Sequence, residues 1–299
     1  MPGRVRPRRS VLYMPGSNAR ALEKAKILPA DTLILDLEDS VAPDAKDEAR
    51  AQVCDAVRTG GYGGREVLIR VNGLATPWGH DDIVAAARSG ADGVLLPKVE
   101  GPGIVRSMLN VLDVNGAPDS MLVWCMMETP LGILHAERIA GASRRLGGFV
   151  MGTSDLAKDL HASHTTLRLP FLASLSTCVL AARAVGIAVI DGVHLNLSDD
   201  EGFLKSCQQG VEFGFDGKSL IHPKQVDPTN TAFAPSEDEV GFSHRIIQAH
   251  AEAEAEGKGV VVVDGRLIEN LHIEAARRQI VLAEAITELE AANEAAAAS

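Results

Sequence analysis

Acidic and basic side chains stand at or just after the ends of several apolar segments in this 299-residue sequence. Carboxylates can bind a cation or transfer a proton, and a guanidinium can hold a developing negative charge. None of this chemistry is possible unless the fold brings the groups together. The side chains in question are, in chain order, Asp36, Glu38, Asp39, Arg70, Lys98, Glu128 and Asp155.

The segments that precede these residues are apolar almost throughout, which is typical of strands covered on both faces. A stretch with helical character follows each one, so about 225 residues contain eight β/α units. This number and size predict an α/β fold, a (β/α)8 TIM barrel. A doubly wound open sheet is less favoured, because no G-x-G-x-x-G motif follows the first strand. The predicted strands are Ser10–Pro15, Thr32–Glu38, Glu66–Val71, Gly93–Val99, Met121–Glu128, Gly148–Gly152, Ala188–Val193 and Gly217–His222.

Glu128 and Asp155 are the best candidates for a metal site. They lie 27 residues apart, one β/α unit, so neighbouring strands would bring both carboxylates to one rim of the barrel. Two carboxylates in close proximity raise one pKa unless a cation lies between them. Oxygen ligands without His or Cys suit Mg²⁺, with Mn²⁺ as the alternative. A carboxylate paired with a neighbouring cation such as Lys98 is the competing interpretation.

Arg70 is the expected positive counterpart at the same rim. A guanidinium stays charged, so it would act as an electrostatic clamp on an enolate or thioester oxygen and not as a base. The alternative is a structural bridge to Asp36 or Glu38. We expect Asp36, Glu38, Asp39 and Lys98 to support the reacting groups from behind. Backbone amides that could bind a substrate carboxylate follow the sixth strand, at Gly152, Thr153, Ser154 and Asp155.

Composition excludes several other classes of function. A formal net charge of −11 and 4% aromatic residues argue against nucleic-acid binding. No apolar run approaches the roughly 20 residues that span a membrane. The four cysteines show no C-x-x-C pairing, which is typical of a reduced cytoplasmic protein. Schiff-base chemistry at Lys98 or Lys218 is disfavoured, because the acidic pair makes it redundant.

The sequence predicts three regions along the chain. Residues 1–9 carry four arginines and are predicted to form a flexible basic arm. Residues 10–234 would form the barrel. In residues 235–299, prolines break the pattern before a helix from Ser236 to about Glu256, a short strand at Val260–Val263, an Asp-Gly turn and a final helix from about Glu269. This extension is too long for the barrel and is predicted to be a lid or an oligomerisation arm.

Eight sequence pieces, in order, resemble the citrate lyase β-subunit-like family within the HpcH/HpaI aldolase superfamily, which includes malyl-CoA and citramalyl-CoA lyases. Each piece is weak alone, but the ordered set is specific. The resemblance covers about residues 9 to 285. The pieces are Arg9–Ser17, Leu35–Val41, Ile69–Asn72, Leu96–Glu100, Met127–Pro130, Gly152–Leu156, Gly214–Lys218 and Ile221–Pro223.

The resemblance implies a barrel that forms homotrimers or homohexamers, with Mg²⁺ on Glu128 and Asp155 and with Arg70 on the substrate. In similar lyases an aspartate of the C-terminal lid, reaching into a neighbouring subunit, is the general acid/base. Glu269 stands at that position here, one methylene longer. The resemblance also implies that CoA lies near the end of the first strand, at Tyr13, Pro15, Gly16, Asn18 and Lys24.

The sequence therefore predicts a Mg²⁺-dependent carbon–carbon lyase or reverse synthase. Its substrate would be a carboxylated 3-hydroxyacyl-CoA such as malyl-CoA or citramalyl-CoA, giving acyl-CoA and a 2-oxoacid. Arg70 would stabilise the enolate, and Glu269 would move the proton. Three alternatives remain open: malyl-CoA thioester hydrolysis, CoA-free aldol cleavage of a hydroxy-diacid, and a non-catalytic acyl-CoA-binding subunit. Only small molecules and copies of the chain itself are expected as partners.

Overall fold

The computed structural model describes residues 5–255 and 260–297. The chain divides into two compact units. The larger comprises Arg8–Phe233 and Asn293–Ser299, and the smaller comprises Met1–Pro7 and Ala234–Ala292. The division at Phe233 lies next to the boundary expected after residue 234.

Eight parallel strands close the larger unit into a barrel in which each strand pairs with the next and the eighth pairs with the first. The predicted (β/α)8 fold is confirmed. The strands are β1 (Ser10–Pro15), β2 (Thr32–Asp36), β3 (Glu66–Arg70), β4 (Gly93–Leu96), β5 (Leu122–Met127), β6 (Leu146–Met151), β7 (Ala188–Asp191) and β8 (Gly217–Leu220).

Most of the predicted strands run too far at their carboxyl ends. β2 stops at Asp36 and not at Glu38 because the Asp36 carboxylate accepts the backbone N–H groups of Glu38 (2.8 Å) and Ser40 (3.1 Å). An aspartate that bonds to the backbone two residues onward turns the chain. The residues that sequence alone assigns to the strand end therefore belong to the rim loop.

Helices follow the strands around the outside of the barrel. The helical stretch expected after the fifth strand is two short helices, because at His135 the backbone leaves helical geometry with ψ near 11°. The segment after β6, expected to be a turn, begins a helix at Thr153. The helices are α1 (Ala19–Ala25), α2 (Lys46–Thr59), α3 (Gly79–Ala87), α4 (Pro102–Val114), α5 (Pro130–Leu134), α6 (Ala136–Ala140), α7 (Thr153–Asp159), α8 (Leu172–Val185), α9 (Asp200–Phe213) and α10 (Val226–Phe233).

Alternation along each strand separates two apolar layers. Ile34 belongs to the small cluster that fills the barrel, whereas its neighbours Leu33 and Leu35 belong to the large cluster between strands and helices. Because successive side chains of a strand point to opposite faces, both faces are buried and the strand sequences are apolar throughout. The barrel interior contains Val11, Ile34, Leu68, Leu95, Trp124, Met126, Val150 and Ile190.

The smaller unit contains α11 (Glu237–Ala255), a two-stranded hairpin of β9 (Val261–Val263) and β10 (Arg266–Ile268), and most of α12 (Asn270–Ala297). The hairpin turns at Asp264 and Gly265, both with positive φ, as a two-residue turn of this kind requires. The strand β10 was not predicted. No helix in the described part of the chain is long and apolar enough to cross a membrane.

The predicted flexible arm of residues 1–9 is wrong at its carboxyl end. The Arg9 side chain is buried and donates two hydrogen bonds to Asp31, each 2.9 Å long. Arg8 donates to both carboxylate oxygens of Glu66, at 2.6 and 2.8 Å. Paired, desolvated arginines are fixed, so the ordered barrel begins at Arg8. Residues 1–4 of the predicted arm lie outside the described residues.

Candidate active site

A cavity of about 500 Å³ opens at the carboxyl ends of the strands, the rim where barrel enzymes place their sites. Its lining includes most of the site residues predicted from sequence. These are Tyr13, Pro15, Asp36, Asp39, Arg70, Glu128, Gly152, Thr153, Ser154 and Asp155.

Strand alternation explains why the charged groups face this cavity. Asp36 lies two residues after Ile34, and Arg70 lies two residues after Leu68, so both point into the barrel. Glu128 follows Met126 in the same way. The interior face is apolar along the middle of the strands and charged at both ends, where Glu66 pairs with Arg8 at the amino side and the groups above lie at the carboxyl side.

Arg70 is buried and held from three sides. Its Nε and Nη2 donate to the two oxygens of Asp36 at 2.6 and 2.7 Å, while Nη1 lies 2.9 Å from Glu38 Oε2. The guanidinium stacks over the Tyr13 ring at 4.9 Å. Burial alone would raise the pKa of Asp36, but the Arg70 hydrogen bonds lower it below its ordinary value. The structural bridge considered for Arg70 is therefore present, and the same side chain lines the cavity.

Glu128 is a buried carboxylate, 3% exposed, at the end of β5. Burial, reinforced by the negative charge of Glu38, raises the pKa of Glu128 to about 7. Its Oε1 accepts the backbone N–H of Lys98 at 2.8 Å. Gly152 leaves room for it: a Cβ at that position would lie 2.4 Å from Glu128 Oε2.

Lys98 connects the acidic groups across the mouth of the barrel. Its ammonium lies 2.8 Å from Glu38 Oε1 and 3.3 Å from Asp155 Oδ2. Asp155 also lies 3.1 Å from the exposed Lys158. Although burial opposes it, these two cations lower the pKa of Asp155. The competing interpretation, a carboxylate paired with Lys98, thus describes Asp155.

The charges at the mouth do not balance. Four carboxylates, Asp36, Glu38, Glu128 and Asp155, outnumber the three cations near them, which are Arg70, Lys98 and the buried Lys46. Glu38 Oε2 is buried, and its 2.9 Å contact with Arg70 Nη1 is an ion pair without hydrogen-bond geometry.

This arrangement fits a divalent cation. The unbalanced carboxylates and the raised pKa of Glu128 are both relieved by a cation, and all the donors are oxygens. Within residues 5–255 and 260–297, no three His, Cys, Asp or Glu side chains form a ready-made metal cluster. Mg²⁺ characteristically takes one or two carboxylates and keeps waters or substrate oxygens. Glu128 and Asp155 are such a pair.

Three residues expected near CoA do not line this cavity. The Gly16 N–H donates to Asp36 O at 2.9 Å, so this glycine fixes the β1 end against β2. Asn18 caps α1 by accepting the Ala21 N–H, and Lys24 is exposed on that helix. Tyr13 and Pro15 do line the cavity. Glu269 lies in the smaller unit, where it is exposed and its N–H donates to His272 Nδ1 at 3.0 Å.

Two roles at the site have no signal in the sequence. Lys98 adopts a left-handed backbone conformation, with φ of 51°, that presents its N–H to Glu128. A non-glycine residue rarely adopts this conformation without a constraint. Glu38 belongs to the acidic mouth itself and does not only support it from behind, because its Oε1 shares the Lys98 ammonium with Asp155.

Residues 9–223 match the model of the HpcH/HpaI aldolase/citrate lyase family. The chain belongs to this family. It is 48% identical over 286 residues to a (3S)-malyl-CoA thioesterase of Cereibacter sphaeroides, covering 96% of this chain and 98% of that protein. It is 37% identical to the citrate lyase subunit beta of Escherichia coli, covering 94% and 95% of the two chains.

A solved member of the family has the same fold. The structure of CitE from Mycobacterium tuberculosis in complex with magnesium, acetoacetate and coenzyme A superposes with a TM-score of 0.73 at 27% identity, covering 94% of this chain and 99% of that one. The resemblance inferred from the eight sequence pieces is therefore confirmed.

Proposed function

We propose that this protein hydrolyses the thioester of a carboxylated 3-hydroxyacyl-CoA of the malyl-CoA type. The observation that carries the proposal is the barrel mouth, where carboxylates outnumber cations beside a fixed guanidinium. From the sequence alone, carbon–carbon cleavage comes first and hydrolysis second. The 48% identity to a malyl-CoA thioesterase, over nearly the whole of both chains, reverses that order.

Glu128 and Asp155 would hold Mg²⁺, or Mn²⁺ in its place. When bound, the metal supplies a Lewis acid that polarises a substrate oxygen. The Lys98 N–H orients Glu128 for this task, and Gly152 admits its carboxylate. The amides at the start of α7, from Thr153 onward, face the same cavity and would bind the substrate carboxylate.

Arg70 would stabilise the negative charge that develops on the thioester oxygen. Water adds to the thioester carbon, the carbon–sulfur bond breaks, and the thiolate of CoA takes a proton. Because Asp36 and Tyr13 fix the guanidinium, little reorganisation is needed when the charge appears. Glu269, from its own chain or a neighbouring copy in a homotrimer or homohexamer, is the proposed proton carrier.

Carbon–carbon cleavage is the second candidate, favoured by the 37% identity to a citrate lyase subunit beta and by the CitE structure with magnesium and acetoacetate. The same residues would serve it: Arg70 would hold an enolate, and a metal on Glu128 and Asp155 would bind the 2-oxoacid released.

Product analysis separates the two. Purified protein is incubated with malyl-CoA and Mg²⁺, and free thiol, malate, acetyl-CoA and glyoxylate are quantified, with a chelator-treated control. Hydrolysis gives malate and free CoA in equal amounts without glyoxylate. Glyoxylate and acetyl-CoA in equal amounts would replace the proposal by the lyase. Absence of turnover for malyl-CoA and citramalyl-CoA alike would contradict both, and turnover of CoA-free malate would favour the aldolase.

A further inference from the structure

A second cavity, of about 260 Å³, lies beside the first at the β7 and β8 side of the barrel. The two cavities share only Thr153, Val193 and Leu195. The second one is markedly more polar in its lining, and no step proposed above uses it. Its polar side chains include His164, Arg168, His194, Asp199 and Lys218.

A buried charge cluster forms the floor of this cavity. Lys218 and Asp191 are fully buried, and the Lys218 ammonium donates to Asp191 Oδ2 at 2.8 Å and to the Gly192 carbonyl at 2.6 Å. Arg168 Nη1 donates to both oxygens of Asp191, at 2.6 and 2.8 Å. Two cations therefore share one anion, and the cluster carries one uncompensated positive charge.

Two buried nitrogen atoms at this cavity have no partner. Arg168 is 9% exposed; its Nε donates to Gln209 Oε1 at 2.6 Å, but its Nη2 has no hydrogen-bond partner. His194 Nε2 is also buried without a partner. Leaving a buried donor unpaired is unfavourable, and more so for a charged group. Arg168 is further held in the left-handed conformation, with φ of 52°.

The geometry points to a binding site for a small organic monocarboxylate in this cavity, with Arg168 Nη2 and His194 Nε2 as its two donors. One carboxylate has two oxygens for two donors, and its single negative charge balances the excess positive charge of the cluster. Burial strengthens such a charge-assisted contact. The inference stands apart from the proposed function, since it uses neither Arg70 nor the carboxylates of Glu128 and Asp155.

The remaining charges favour a monoanion over phosphate. Asp199 Oδ2 lies 3.9 Å from His194 Nε2, beyond hydrogen-bond distance, and its negative charge opposes a dianion. Burial, with the nearby Lys218 cation, lowers the pKa of His194, so the ring is neutral at pH 7. A neutral imidazole with its hydrogen on Nε2 donates one hydrogen bond. His164 is also neutral at pH 7, since burial lowers its pKa.

The test is calorimetric titration of the metal-free, chelator-treated protein with acetate, glyoxylate and inorganic phosphate. Three variants are compared with the wild type. Arg168→Lys keeps a positive charge beside Asp191 but lacks the second terminal nitrogen, and Arg70→Lys alters the active-site cavity. His194→Phe keeps an aromatic ring beside Phe203, whose centroid lies 5.8 Å from that of His194, but has no donor. Arg183→Lys, remote from both cavities, is the matched control.

We expect acetate and glyoxylate to bind the wild type, Arg70→Lys and Arg183→Lys with equal affinity. Their affinity for Arg168→Lys and His194→Phe should be at least about tenfold lower. Thermal melts establish that the variants are folded, and His194→Phe keeps the test valid if Arg168→Lys is not. Loss of binding in Arg70→Lys alone, tighter binding of phosphate than of acetate, or no carboxylate binding at millimolar concentration would each overturn the proposal. A raised KM for acyl-CoA in His194→Phe would identify the carboxylate as the substrate's own and not a free acid.

Discussion

Two charged clusters lie on different faces of the same barrel and have opposite imbalances. The acidic mouth, formed by Asp36, Glu38, Glu128 and Asp155 with fewer cations, lacks positive charge and faces an open cavity. The basic cluster of Arg168, Asp191 and Lys218 lacks negative charge and is buried beside the second cavity.

Strand alternation produces this difference. Glu128 has the same parity as Met126 and points into the barrel, whereas Asp191 follows the interior residue Ile190 and points outward toward the helices. A charge in the mouth can be met by a ligand from solvent. A charge behind the wall is met first by the protein, through the buried ion pairs of Asp191. In that cluster the same residue types also hold the fold together.

The largest expected effect is on turnover at the mouth. Glu128→Gln keeps the shape and the Lys98 contact but removes the negative charge, so we expect the Mg²⁺-dependent rate to fall about 10⁴-fold, or roughly 5 kcal/mol of barrier. Initial rates of thiol release at saturating Mg²⁺ measure this. Glu100→Gln, an exposed carboxylate near the same rim, is the control and should change little. Near-normal rates in Glu128→Gln would end the metal assignment.

The second prediction compares the two clusters by their effect on the free energy of unfolding. Asp191→Asn leaves two cations buried without an anion and should lower the free energy of unfolding by about 3–5 kcal/mol. The same change at Asp155, which is only partly buried, should lower stability by less than about 1 kcal/mol while abolishing Mg²⁺ dependence. Urea unfolding with parallel Mg²⁺ titration measures both. Equal destabilisation by the two variants would contradict the comparison.

A third effect is the pH dependence of stability. The raised pKa of Glu128 means that the folded state holds this proton up to about pH 7, whereas the unfolded chain releases it near the ordinary pKa of 4.5. In the presence of a chelator, protonated Glu128 therefore adds up to about 3 kcal/mol to the free energy of unfolding. This contribution is complete below about pH 4.5 and is lost as the pH rises through 7.

Urea unfolding at pH 5 and pH 8 isolates this contribution as the difference between wild type and Glu128→Gln, which has no proton to lose. Saturating Mg²⁺ should shrink the difference, because a cation favours the ionised carboxylate. Identical pH slopes for the two proteins would show that Glu128 ionises normally.

The barrel was predictable from sequence because its signals are local. Uniformly apolar segments, each followed by a helical stretch, fix the number of strands, and β1 was placed at its observed bounds. The ends of the other strands were less predictable, since the turn at Asp36 depends on bonds to residues farther along the chain. The residue types gave no sign that His135 divides one helix into two.

Within the site, side chains at strand ends were predictable and their contacts were not. Arg70, Glu128 and Asp155 were placed at one rim by the fold alone, and they line one cavity. The backbone contact from Lys98 to Glu128 has no sequence signature, because any residue supplies an N–H. The basic cluster was missed for a related reason. Arg168 precedes a helix in an irregular segment, and only the folded chain brings it to Asp191.

The smallest effect concerns the space that admits Glu128. Gly152 has φ of −100°, which any residue adopts, so Gly152→Ala would act through contact alone. The new Cβ would lie 2.4 Å from both the Cβ and the Oε2 of Glu128 and would move that carboxylate away from its position. We expect Mg²⁺ affinity to fall about 10- to 100-fold, as for other changes that disturb the orientation of a metal ligand. Calorimetric titration with MgCl₂ measures this.

Gly101→Ala is the control: its Cβ would meet nothing within 4 Å, so it should bind Mg²⁺ as the wild type does. If Gly152→Ala also binds normally, Glu128 does not take up the metal from the position it has here, and the mouth must rearrange before a cation enters.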